Sequence, residues 1–244
     1  MKKLALLLLG LFAILFLPAQ QKKVGLVLSG GGASGLAHVG VLKALEENQI
    51  EVDYIIGTSI GALVGGFYAS GYTPDQIEAI VNSEDFRAAA EGIINKNKIF
   101  YLKQDRNDPG MLNCNFISSI PIDIGLMELF AQPNAASKEN FDSLMIPFRC
   151  LAANISTKEQ KVFRSGQLAT SIRASMTYPF YIAPISVDGG VMLDGGLYNN
   201  FPVDIICEEF DLDYIIASNV TSRLDDPTED NLVSQVKNML IRES

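Results

Sequence analysis

The chain has 244 residues, 48% of them hydrophobic, with 10 prolines and a formal net charge of −9. That suits one globular domain with a sizeable core, since α/β domains run to roughly 200–250 residues. The acidic balance and the lack of a Lys/Arg cluster argue against a nucleic-acid partner. One histidine (His38) and three scattered cysteines leave no set with zinc spacing, so neither a metal nor a cofactor is implied.

At the N-terminus, Lys2 and Lys3 precede an apolar run from Leu4 to Leu17 that ends at Pro18-Ala19. The run is shorter than the ~20 residues that span a bilayer. Residues 1–20 therefore read as a signal peptide cleaved near Ala19 or Gln20, with an uncleaved N-terminal anchor as the alternative. Export places the protein in the periplasm, at the outer membrane or outside the cell.

Val24 to Leu28 reads as a strand and runs into Ser29-Gly30-Gly31-Gly32; Leu36 to Glu47 has helical spacing. Gly30 to Gly35 fits the dinucleotide fingerprint, which needs an acidic residue at the far end of the second strand. Asp53 has about the right spacing, but it precedes that strand and so lies at the wrong end of the sheet. The loop fits an oxyanion hole better, because glycines leave backbone N–H groups of Gly31, Gly32 and Ala33 open beside a helix start. A merely tight turn is the alternative.

Tyr54 to Gly57 reads as a second strand and Ile60 to Ala69 as a second helix, apolar on most faces and hence buried. Between them, Gly57-Thr58-Ser59-Ile60-Gly61 reads as a nucleophile elbow: a serine thrust out of a strand-to-helix turn by small neighbours. A third helix runs from Pro74 to Val81, with Thr73 as cap and Pro74 at its first position. Ser83 to Asn115 is irregular and polar, as lids and binding loops are. A helix lies within Phe116 to Phe130, strands at Phe148 to Ile155 and Lys161 to Phe163, and a helix at Gln167 to Met176. Asp188-Gly189-Gly190 marks a hairpin turn. Val191 to Leu193 then leads into Asp194-Gly195-Gly196, followed by a helix (Val203 to Phe210), a strand (Tyr214 to Ala217) and a last helix (Asp230 to Ile241). Alternating strands and helices imply an α/β fold with a mainly parallel sheet covered on both faces.

A serine nucleophile needs a proton acceptor. His38 precedes Ser59 within an apolar helix and reads as structural. Of the two Asp-Gly-Gly tripeptides, Asp188 fits a turn, so Asp194 is favoured as the base. An aspartate near its ordinary pKa of ~3.9 is a weak base, which throws weight on the oxyanion hole. Cys114, Cys150 and Cys207 are odd in number, and Cys150 reads as a buried small hydrophobe.

With Gly30 to Gly35, Gly57 to Gly61 and Asp194-Gly195-Gly196 in this order, the sequence resembles the patatin-like phospholipase family from about Lys23 to Val220. Asn199, Asn200 and Pro202 look like that family's usual sequel to its catalytic aspartate. The resemblance implies a three-layer α/β/α fold and a Ser59–Asp194 dyad that hydrolyses acyl esters of lipids without metal. Ser34 departs from the family, which often has a basic residue there. The family's domain commonly continues further, and secreted bacterial members that look similar carry an outer-membrane barrel beyond it. The domain at 23–244 is therefore read as open to truncation.

The expected substrate is a phospholipid or other lipid ester, met in transient contact with a membrane surface. Acyl chains are expected between the Ser83–Asn115 segment and the apolar residues from Met176 to Ile182, unless those rings pack the core. The alternatives are an esterase or thioesterase on small soluble esters, and a non-catalytic binding module.

Overall fold

The structure is a computed structural model in which residues 22–93 and 117–221 are described. Residues 1–20, Cys114, most of the Ser83–Asn115 segment and the expected helix from Asp230 to Ile241 fall outside them.

Alternating side chains set the sheet. In β1 (Val24–Leu28), Leu26 and Leu28 face one side and Val27 the other; in β2 (Tyr54–Thr58), Ile55 and Ile56 divide the same way. Strands buried on both faces read as unbroken apolar runs, which is why both were visible in the sequence. β1 pairs in parallel with β2 and with β7 (Tyr214–Ser218), and β2 pairs in parallel with β3 (Phe148–Asn154).

Beyond this point the sheet is antiparallel. β3 pairs with β4 (Glu159–Phe163) and with β6 (Gly190–Asp194), and β6 pairs with β5 (Ile185–Val187). The expectation of a mainly parallel sheet therefore holds for β7, β1, β2 and β3 and not for the rest. β3–β4 and β5–β6 are joined by turns too short for a crossover, and such turns can only send the chain back antiparallel. The register has a further consequence. β4 occupies one edge of β3 along Cys150–Asn154, so β2, opposite Phe148–Leu151, and β6, opposite Ala152–Asn154, share the other edge end to end.

One face of the sheet is covered by α1 (Ala37–Glu47), α2 (Ile60–Ala69), α5 (Ile120–Ser137) and α6 (Leu168–Ser175). Their Leu42, Leu63, Phe130 and Ile172 join one buried cluster with Leu26, Ile55 and Phe148. On the other face α7 (Val203–Glu209) sets Ile205 and Ile206 against Val27, Ile56 and Leu151. Arg149 of β3 ties α7 down through Glu209 and reaches Asp142 on its other side. The result is the three-layer α/β/α arrangement.

α3 (Pro74–Val81) begins with a reciprocal capping box: Thr73 Oγ1 accepts the Gln76 N–H and Gln76 Oε1 accepts the Thr73 N–H. α4 (Glu84–Ala90), capped by Ser83, occupies the start of the stretch expected to be irregular. α5 runs past Phe130 and through Pro133. A proline has no N–H for the carbonyl four residues back, and the Tyr72 hydroxyl donates to that Leu129 carbonyl instead at 2.7 Å.

Candidate active site

The chain passes from β2 into α2 with one residue between them, Ser59. So sharp a reversal holds Ser59 at φ 55° and ψ −122°, a sparsely populated region that costs on the order of 1–3 kcal/mol for a residue with a side chain. Its polar groups are all engaged. The carbonyl accepts the N–H groups of Ala62 and Leu63 in the first turn of α2. The N–H donates to Ser175 Oγ at 2.8 Å, and Oγ donates to Asp194 Oδ2 at 2.6 Å. Gly61 lets α2 cross the end of β1, since a Cβ there would lie 2.3 Å from the Leu28 carbonyl oxygen.

Asp194 arrives from the opposite direction. It is the last residue of β6 and stands opposite Ala152, one step along β3 from Leu151, which stands opposite Thr58. The C-terminal ends of β2 and β6 thus abut, which brings together two side chains 135 residues apart in sequence. The chain then turns through Gly195–Leu197, where the Gly196 N–H donates to Asp194 Oδ1 at 2.8 Å. Thr58 Oγ1 donates to the Asn199 carbonyl at 3.0 Å, which locks the elbow to this turn. Only 5% of Asp194 is exposed, and burial raises its carboxyl to about 6 against the opposing pull of the Ser59 and Gly196 hydrogen bonds. The weak base expected from an ordinary aspartate is thereby corrected: this carboxylate takes a proton far more readily near neutral pH.

The glycine loop flanks the serine. A Cβ on Gly30 would lie 3.3 Å from Ser59 Cβ. The Gly30 N–H donates to the Asn200 carbonyl at 3.0 Å. Among the described residues, the N–H groups of Gly31, Gly32 and Ala33 have no acceptor, and Gly32 and Ala33 are exposed. Ser34 turns its hydroxyl onto the Gly31 carbonyl at 2.7 Å. Gly32–Leu36 forms a 3-10 turn, so α1 starts at Ala37, one residue later than its spacing suggests.

The family model for patatin-like phospholipase matches residues 26–206. The chain belongs to this family. A patatin-like phospholipase domain-containing protein of Caenorhabditis elegans, ZK370.4, is 38% identical over 185 residues, 75% of this chain and 12% of its own length. Lysophospholipase NTE1 of Candida albicans is 34% identical over 211 residues, 86% of this chain and 14% of its own. The chain therefore spans about an eighth of the length of these curated relatives. Among solved structures, VipD from Legionella pneumophila aligns at 17% identity with a TM-score of 0.49, over 75% of this chain and 47% of that one.

The other candidate residues of this patatin-like domain lie apart from the Ser59–Asp194 pair. His38 is buried, with Nε2 2.9 Å from the Ser29 carbonyl and Nδ1 2.9 Å from the Ser218 hydroxyl. A carbonyl only accepts, so Nε2 carries the proton and Nδ1 accepts from Ser218. Burial holds the ring below its ordinary pKa. Asp188 sits in the hairpin turn at φ 52°, largely exposed, and pairs with Lys161 at 3.2 Å. Asp53 Oδ2 accepts the Val24 N–H at the start of β1, the end of the strand away from the glycine loop. Cys150 is fully buried, which pushes its thiol pKa up, and Cys207 is free and exposed.

Two contributors, Ser175 and Thr177, carry no sequence motif, and Asn200, part of the run after Asp194, joins them at the site. Thr177 offers its carbonyl to the Asp194 N–H at 2.8 Å. The Asn200 side chain donates to Thr221 Oγ1 at 2.7 Å beside Gly30. The available signal was polar: Arg173, Ser175 and Thr177 interrupt an otherwise apolar helix end, and all three are buried. In the segment that follows, Ile182 is buried but two of the rings lie at the surface. Phe180 is 63% and Tyr181 48% exposed, and the Tyr181 hydroxyl touches the Ala90 carbonyl at the end of α4.

Proposed function

We propose that the chain is a lipid acyl hydrolase that cleaves carboxylic esters of phospholipids or lysophospholipids through Ser59 and Asp194. One observation carries this reading: at a strained strand-to-helix turn, the Ser59 hydroxyl donates at 2.6 Å to a buried carboxylate whose pKa is raised to about 6. Ser59 Oγ attacks the ester carbonyl carbon while Asp194 Oδ2 takes its proton. The oxyanion is received by the N–H groups of Gly31, Gly32 and Ala33. Collapse of the tetrahedral intermediate expels the alcohol, which takes the proton from Asp194 and leaves an acyl-Ser59. Water then attacks, Asp194 accepts its proton, and a second collapse releases the fatty acid and restores the serine. No step requires a metal, so turnover is expected to persist in excess chelator.

The lipid substrate class is supported by family membership and by relatives named as lysophospholipases. The exposed Phe180 and Tyr181 beside α4 give acyl chains an apolar entrance and transient contact with a membrane surface. Residues 1–20 direct export, and the mature chain begins near Gln20 or Gln21, which N-terminal sequencing of an exported fraction checks.

The deciding experiment is a panel of phospholipids, lysophospholipids and p-nitrophenyl esters from acetate to decanoate, given to wild type and Ser59→Ala. Wild type is expected to release fatty acid from the lipids, and kcat/KM to rise by up to roughly fourfold per added methylene until the groove is filled. Ser59→Ala is expected to keep less than roughly 10⁻³ of the activity. A flat or falling ester series favours a hydrolase of small soluble esters, and no turnover by wild type favours a binding module.

A further inference from the structure

The Ser59 N–H takes no part in the reaction, yet it has a dedicated acceptor. That acceptor, Ser175, is the last residue of α6 and has no exposed surface. The Ser59 N–H is the only partner of its hydroxyl among the described residues. Two residues on, the Thr177 carbonyl accepts the Asp194 N–H. One short segment therefore grips the backbone of both the serine and the aspartate, the first by a side chain and the second by the main chain.

The segment is itself braced from behind by Arg173, of which 3% is exposed. Its Nε donates to Asp123 of α5 at 2.7 Å, one terminal nitrogen to Thr177 Oγ1 at 2.5 Å, and the other to the Ala183 carbonyl at 2.9 Å. Nothing in the helix calls for a hydroxyl at 175. Alanine is the better helix former and fits the same buried space. The hydroxyl is explained by the strained residue it faces.

We infer that Ser175 is a positioning residue: its hydroxyl oxygen holds the Ser59 N–H and thereby keeps the positive-φ elbow closed, with Oγ in line with Asp194. The inference rests on Ser59 being the nucleophile. A residue in so sparsely populated a conformation persists only while its surroundings over-determine it. Without the acceptor a buried N–H is left unpaired. Rotation of the peptide between Thr58 and Ser59 relieves that and swings Oγ away. Misplacement by about 1 Å costs on the order of 10²-fold in rate.

The test is the rate at which a fluorophosphonate labels the protein, with the modified residue mapped by mass spectrometry, alongside lysophospholipid turnover. Ser59 Oγ displaces fluoride from phosphorus in that reaction, so the rate reports the nucleophile alone. Ser175→Ala is expected to fold normally by circular dichroism, to label Ser59 roughly 10- to 100-fold more slowly, and to lose kcat by the same factor with KM within about twofold. Ser175→Cys keeps a weaker acceptor and should fall between the two. Ser171→Ala removes the other buried serine of α6, one turn back, and should label at the wild-type rate. Folded Ser175→Ala labelling within about twofold of wild type overturns the inference, as does equal slowing of Ser171→Ala. If Ser175→Ala does not fold, Ser175→Cys decides, and a wild-type rate there overturns the proposal. Wild type labelled at a residue other than Ser59 overturns the nucleophile assignment itself, a different result from any of these.

Discussion

The two ends that meet at the site are held by opposite means. Ser59 leaves the parallel part of the sheet in a strained backbone, with every polar group engaged and its Oγ presented by the turn. Asp194 leaves the antiparallel part at φ −50° and ψ 132°, with ordinary backbone and an altered carboxyl, raised to about 6 by burial. The Ser59 hydroxyl is set by geometry and the Asp194 carboxyl by solvation. A rearrangement of the backbone should therefore disable the first, and a change of charge the second.

The sharpest separation comes from removing each functional group. Ser59→Ala and Asp194→Asn should each lower kcat more than roughly 10³-fold, but the stability change of Asp194→Asn should depend on pH. The Asp194 carboxyl holds its proton more tightly folded than unfolded, so ionising it costs stability as pH rises from about 4 through 6. Asn removes that cost. Asp194→Asn should then be more stable than wild type by about 2–3 kcal/mol at pH 8, with no such gain near pH 4. Thermal melts at the two pH values check this, and a destabilised Asp194→Asn at pH 8 means that burial is not what sets the base.

On the serine side, Gly61→Ala drives a Cβ to within 2.3 Å of the Leu28 carbonyl oxygen. A clash with backbone has no side-chain escape, and a loss of about 3 kcal/mol is expected in denaturant unfolding. A smaller change shows in the pH profile. The log of kcat/KM should climb with unit slope below pH 6 and level off above it, as Asp194 loses its proton. An inflection near pH 4 would mean that the carboxyl behaves as an exposed one.

The smallest effects belong to the residues left outside the pair. Asp188→Asn breaks only an exposed contact with Lys161 and should leave kcat within about twofold. His38→Gln should lower the melting temperature while retaining most activity. Complete loss in a folded His38→Gln would restore a histidine to the mechanism.

The sequence made the parallel part legible because its signals are local. Val24 to Leu28 and Tyr54 to Gly57 are short, mostly apolar runs, and Thr73 and Gln76 cap a helix within one turn; in the antiparallel part the Asp188-Gly189 hairpin turn is equally local. The pairing of Ser59 with Asp194 was accessible through the order of the motifs and through Asp188 reading as a turn residue. What stayed hidden depends on partners far away in the chain. Ser175 meets the Ser59 N–H from 116 positions away, and the Leu129 carbonyl that Pro133 leaves open in α5 is met by the hydroxyl of Tyr72, 57 positions back. The raised carboxyl of Asp194 is a property of enclosure, which no tripeptide encodes. The antiparallel turn of the sheet beyond β3 likewise follows from short connections between weak strands such as Ile185–Val187.

The end-to-end meeting of β2 and β6 also bears on when the protein becomes active. Contacts of high sequence separation form late, because the entropy of closing the loop is lost before the contact returns anything. A chain whose first half alone has folded has its elbow but not the carboxylate that Ser59 meets. The carboxylate joins only when β6 docks beyond the end of β2 along β3. If Ser59 and Asp194 act as proposed, nascent or partly folded molecules are chemically silent until the last strands are in place.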